Sequence, residues 1–121
     1  MYCLETSFII DLLAGEDKSV KKYDEIAGRT LYTTSITAYE LLRLKKDEEK
    51  IKALLYRLVI LDFGFNEVLE AVHIEKELKK EGKMIKVFDI LIAAIAKSNG
   101  YILVTSDKHF KNIDNLNLKI V

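Results

Sequence analysis

Apolar positions along the chain switch repeatedly between a period of two and a helical period. Residues 2–5 read as a short strand. Ser7 then opens a helix, "FIIDLLAG", that ends near Gly15, and "SVKKYDEIAG" predicts a second one ending near Gly28. "LYTTS" (31–35) is β-prone, and Ser35 is placed to cap the helix "ITAYELLRL". In "DEEKIKALLYRL" the apolar Ile51, Leu54, Leu55 and Leu58 recur at helical spacing. "VILDF" (59–63) predicts a strand, and Asn66 is placed to cap a helix running to Gly82. "DILIAAIAKSNG" is apolar nearly all round, the mark of a buried helix, and Asn99 and Gly100 supply its C-terminal stop. "YILVT" (101–105) and "LKIV" (118–121) complete the strands.

Strands thus alternate with one or two helices. That order predicts an α/β fold in three layers, with a mainly parallel central sheet and helices on both faces. No linker, repeat or low-complexity segment interrupts it, so residues 1–121 are expected to form one domain. In such folds ligands bind at the carboxyl ends of the strands.

Composition narrows the setting. Half of the residues are hydrophobic, enough for a packed core and against disorder. No apolar run reaches the roughly 18 residues of a membrane span, and no signal peptide is apparent. The single Cys3 has no partner for a disulfide, which fits a cytoplasmic protein, and it reads as a small core residue. Nineteen basic residues balance nineteen acidic ones, so the chain lacks the footprint of a tight non-specific nucleic-acid binder.

Four acids interrupt this pattern where apolar residues would be expected. Glu5 ends the first strand, and Asp107 lies two residues beyond the "ILVT" strand. Glu40 lies about a turn into the helix after "LYTTS", and Asp89 starts the buried helix. Each sits near the carboxyl end of a strand or the start of a helix, and in a parallel sheet those ends share one edge. Carboxylates gathered there repel one another until a proton or a cation intervenes. A hard divalent ion, Mg²⁺ or Mn²⁺, suits such oxygen ligands, and its chemistry is in-line displacement at phosphorus. Singly, each acid also has a plainer role: Asp89 as a helix N-cap, Asp107 as a turn residue, Glu40 as a surface acid. Asp11 reads as solvent-facing, Asp62 and Asp114 as edge or loop residues, His73 as a surface or packing residue and His109 as structural. The run from Lys45 to Lys50 reads as a solvated turn. Arg43, Lys86, Lys108 and Lys111 lie close in sequence to the acids, placed as a group to contact substrate phosphates, which the resemblance described next makes RNA phosphates. The apolar stretch Ile51 to Leu61 reads either as core or as a contact surface.

The succession "LETSFIIDLL", "TSITAYELL", "FDILIAAIA" and "ILVTSDKHF" resembles the PIN-domain family, and within it the toxin subunits of VapBC toxin–antitoxin pairs. The resemblance spans Tyr2 to Val121. The family's "D-x-x-I-A-A" is met by Asp89, Ile92, Ala93 and Ala94, and its "T-x-D-x-x-F" by Thr105, Asp107 and Phe110; Glu40 follows Ser35 by five residues in the "S-x-x-x-x-E-L" setting. The resemblance implies a Mg²⁺- or Mn²⁺-dependent ribonuclease whose metal ligands and catalytic acids are Glu5, Glu40, Asp89 and Asp107. It implies that Ser7 and Thr105 support them by hydrogen bonds. It also implies a homodimer and a small cognate antitoxin that inserts near the active site. The chain departs from the pattern at Glu5, where the family has Asp. The extra methylene leaves intact activity, a shift toward Mn²⁺ and weakened activity all open.

Two other functions compete with this one. A catalytically weakened PIN-like module that binds RNA or protein would account for Glu5 and the neutral charge. A phosphohydrolase with an aspartyl nucleophile would need Asp at position 5.

Overall fold

The computed structural model describes residues 1–121. Five strands form one sheet: β1 (Tyr2–Leu4), β2 (Leu31–Thr34), β3 (Val59–Leu61), β4 (Ile102–Thr105) and β5 (Leu118–Ile120). Their order is β3-β2-β1-β4-β5, and all four pairings are parallel. The sheet is therefore parallel throughout rather than mainly so. Helices α1 (Thr6–Leu13) and α2 (Asp17–Ile26) join β1 to β2, and α3 (Ser35–Leu42) and α4 (Glu48–Leu55) join β2 to β3. Helices α5 (Phe65–Glu81) and α6 (Val87–Asn99) carry the chain back from β3 to β4. A 3₁₀ turn (Lys108–Asn112), which the sequence pattern does not announce, precedes β5.

Strand periodicity splits the interior in two. In β1, Cys3 faces one core and Leu4 the other; in β4, Leu103 and Val104 divide in the same way. One core packs Ala71, Ile74 and Leu78 of α5 and Ile90, Ile92, Ala93, Ala94 and Ala96 of α6 around Leu103 and Phe110. The other packs Phe8, Ile9, Ile26, Leu41, Ile51, Leu54, Leu55 and Leu58 around Leu4 and Val104. Within the stretch Ile51 to Leu61, Ile51, Leu54, Leu55 and Leu58 are core, whereas Tyr56, Val59 and Ile60 are exposed. Cys3 is fully buried, and burial pushes its thiol up to about 12, so it is an inert core residue.

Several boundaries shift for local reasons. Thr34, not Ser35, caps α3, its Oγ1 accepting from the Thr37 backbone N–H at 3.0 Å. Gly64, not Asn66, stands at the N-cap of α5, where its N–H donates to Glu67 Oε1 at 3.3 Å. Helix α1 begins at Thr6 and α6 at Val87, which puts Glu5 at an N-cap and Asp89 at the third helical position rather than the first. Gly82 and Gly100 end α5 and α6 in the left-handed region that a side chain would resist. Asp11 is half-buried rather than solvent-facing, while Asp62, Asp114 and His73 are exposed as the pattern predicts. No helix is long and apolar enough to cross a membrane.

Candidate active site

The strand order reverses between β1 and β4: the chain moves from β1 toward β2 and β3 on one side, and toward β5 on the other. Beyond the carboxyl ends of two such strands the flanking helices part, and a crevice opens. Glu5 follows β1 directly, with its N–H bonded to the Val104 carbonyl of β4 at 2.9 Å. Asp107 follows β4. Helices α3 and α6 start at the same edge, which brings Glu40 in the second turn of α3 and Asp89 in the first turn of α6 near it.

Glu5 is 3 % exposed, and its carboxylate is held by hydroxyls. Ser7 Oγ and Thr105 Oγ1 donate to Glu5 Oε1 at 2.5 and 2.6 Å. Both hydroxyls are themselves oriented: the Ser106 N–H donates to Ser7 Oγ and the Asp107 N–H to Thr105 Oγ1, each at 3.0 Å. Burial raises the Glu5 carboxyl above its ordinary value, the hydroxyl bonds lower it, and the Asp89 charge raises it further. Asp107 Oδ1 accepts from the His109 N–H at 2.8 Å and lies 2.9 Å from His109 Nδ1. His109 is therefore an exposed neighbour of the site as well as a turn residue.

Glu40 depends on a residue that sequence reasoning passed over. Thr6 Oγ1, at the start of α1, donates to Glu40 Oε1 at 2.7 Å and lies 3.1 Å from Thr37 Oγ1. Thr34 Oγ1 in turn donates to Thr37 Oγ1 at 3.2 Å. The one signal in the sequence was the density of hydroxyls in "TS" and "TTSIT" at two strand ends, where buried side chains need partners.

Asp89 is treated differently. It is 9 % exposed, yet no hydrogen bond acts on its carboxylate. Burial, then the charges of Asp107 and Glu40, push it up to about 6, while Lys86 and His109 pull it back. Together with Met84, Ile85, Lys86 and His109 it lines an open cleft of about 360 Å³. The four acids thus share one field, but they do not form a closed cage: no three His, Cys, Asp or Glu side chains stand close enough to surround an ion unaided. Of the basic residues, Lys86 stands on the cleft. Arg43, Lys108 and Lys111 are exposed nearby, Arg43 at the end of α3 and the two lysines in the 3₁₀ turn after Asp107.

A parallel five-stranded sheet with an acidic crevice at its reversal point defines a class, and comparison with known proteins places the chain within it. The sequence profile of the PIN domain matches residues 2–116. Ribonuclease VapC1 of Rickettsia felis is 33 % identical over 129 residues, covering 98 % of this chain and 94 % of the relative. Ribonuclease VapC2 of Haemophilus influenzae is 32 % identical over 114 residues, covering 88 % and 86 %. Among solved structures, VapBC2 from Rickettsia felis bound to a DNA fragment from their promoter superposes with a TM-score of 0.85 at 28 % identity, covering 99 % of this chain and 98 % of that one. The chain belongs to the PIN-domain family, among the VapC ribonucleases.

Proposed function

We propose that this chain is the ribonuclease toxin of a toxin–antitoxin pair and that it cleaves RNA phosphodiesters with the help of Mg²⁺ or Mn²⁺. The observation that carries the metal is Asp89: a carboxylate without a donor, opening onto the cleft and raised by burial of its residue and by two neighbouring acids, suits a cation. The donors are all hard oxygens. An open acidic cleft rather than a closed cage supports an ion held by one or two carboxylates, its remaining positions left to water and phosphate. Glu5, Glu40, Asp89 and Asp107 are the acids from which those one or two ligands would come. When bound, such an ion supplies Lewis-acid polarisation of the phosphodiester and a more acidic water.

The chain's own residues do the rest. Ser7 and Thr105 fix Glu5, and Thr6 fixes Glu40, so that both carboxylates are aimed before substrate arrives. Lys86 stands beside Asp89 on the cleft, placed to meet a substrate phosphate, with Lys108 and Lys111 close by in the adjoining turn. An antitoxin partner is supported by the likeness to VapBC2. A homodimer is supported by the exposed apolar stripe of Phe65, Leu69 and Val72 along α5.

The test is cleavage of labelled RNA in Mg²⁺ or Mn²⁺, with EDTA and Asp89→Asn as controls. Cleavage that both controls abolish supports the proposal. Cleavage indifferent to both removes the metal from it, and a chain that Mn²⁺ stabilises but that cuts no RNA is a binding module instead.

A further inference from the structure

The residues immediately before two of the site acids are aromatic: Tyr39 precedes Glu40 on α3, and Phe88 precedes Asp89 on α6. Their rings meet edge to face, with centroids 5.9 Å apart and planes at 80°. Arg43, one turn after Tyr39, lays its guanidinium over both rings, 5.5 Å from the centroid of Tyr39 and 5.3 Å from that of Phe88. Tyr39 is 56 % exposed and Phe88 half-buried. Arg43 is exposed and enters no salt bridge, so its donors remain available. The cluster therefore offers a flat ring and a free planar cation on helices that also carry Glu40 and Asp89.

We propose that Tyr39, Phe88 and Arg43 form a nucleoside subsite, in which Tyr39 stacks one unpaired base of a single-stranded RNA and Arg43 contacts an adjacent phosphate. The subsite holds the neighbouring phosphodiester over the acidic cleft. The inference rests on the ribonuclease reading of that cleft. A chain of zero net charge has no broad field with which to hold a polyanion, so affinity must come from local contacts. Aromatic faces and guanidinium planes supply them to bases of any sequence. In a duplex the bases are stacked on one another and out of reach, so this geometry selects single strands, loops and bulges.

The probes are a fluorescein-labelled single-stranded RNA, the same RNA carrying one abasic ribose at successive positions, and bis(p-nitrophenyl) phosphate, a phosphodiester without a base. Tyr39→Ala is expected to raise the Kd for the intact RNA roughly 5- to 150-fold. It should lower kcat/KM on RNA relative to that on bis(p-nitrophenyl) phosphate by a similar factor, whereas Tyr39→Phe keeps the stacking. At one position the abasic ribose should weaken the wild type as the Tyr39→Ala variant is weakened, and should weaken that variant no further. Unchanged RNA affinity in Tyr39→Ala overturns the proposal, as does an equal loss on intact and abasic RNA at every position. So does a change of oligomeric state in Tyr39→Ala without a change in RNA affinity. Binding is read in Ca²⁺ and separately from turnover. A wild type inert toward both RNA and bis(p-nitrophenyl) phosphate in Mn²⁺ thus counts against the ribonuclease reading alone.

Discussion

Two corners of the same crevice handle a carboxylate in opposite ways. At the β1–β4 corner Glu5 receives two hydroxyl donors, each aligned by a backbone N–H. At the α6 corner Asp89 receives none, and its carboxylate opens onto the cleft. A buried acid with donors is a fixed structural piece whose direction is set by the fold. An acid without them, beside two other carboxylates, favours a proton or a cation. On the proposed reading the first corner orients and the second recruits a cation, and a site that must bind a charged ligand gains from having both.

The comparison can be broken at its recruiting end first. Asp89→Asn removes the unpaired charge and should lower RNA cleavage in Mg²⁺ by at least about 100-fold, measured as initial rates on labelled RNA. The same substitution should leave the metal-free fold intact or more stable, an outcome that a purely structural acid would not give. At the orienting end, Thr105→Val leaves Glu5 with one donor fewer in a fully buried setting. It should reduce cleavage about 10- to 100-fold and destabilise the fold by about 1–3 kcal/mol in urea titrations. Thr6→Val acts on Glu40, which is only half-buried and can turn to water; the expected loss of cleavage is about 10-fold, with little change in stability.

The smallest effect is a pH dependence with a defined sign. In the fold the Asp89 carboxyl is raised to about 6 from its ordinary 3.8, so between those values the native state keeps a proton that the unfolded state has lost. Stability of the metal-free protein therefore falls as pH rises through that window, and the Asp89 contribution is flat on either side of it. The position of Asp89 in the first turn of α6 and the openness of its cleft to solvent both soften the cost, leaving about 1 kcal/mol. Asp89→Asn should show that much less of a decline in urea-melt stability between pH 4 and pH 7 than the wild type. An identical decline in both would mean that the charge is not confined as described.

Much of this was legible in the chain because it is written in nearest-neighbour patterns. "DILIAAIA" and "ILVT" can only be a buried helix and a buried strand, and a parallel sheet then places Glu5 and Asp107 on one edge. The helix starts were harder to read. In "TTSIT" three hydroxyls in a row can each cap, and only tertiary packing selects Thr34. The link from Thr6 to Glu40 spans 34 positions and joins two helices, so no local period reports it. That Asp89 lacks a donor while Glu5 has two is likewise invisible in the sequence, since it depends on which hydroxyls the β1–β4 register brings near. The register pairs Leu4 with Val104, and Ser7 and Thr105 meet at Glu5 as a result.

The role proposed for the unpaired Asp89 corner is recruitment of a divalent cation. Titration of the metal-free protein with Mn²⁺, followed by the loss of the free-ion electron paramagnetic resonance signal, measures this directly. Saturable binding by the wild type is expected, with at least tenfold weaker binding by a folded Asp89→Asn variant. Equal Mn²⁺ affinity in the two proteins would contradict it.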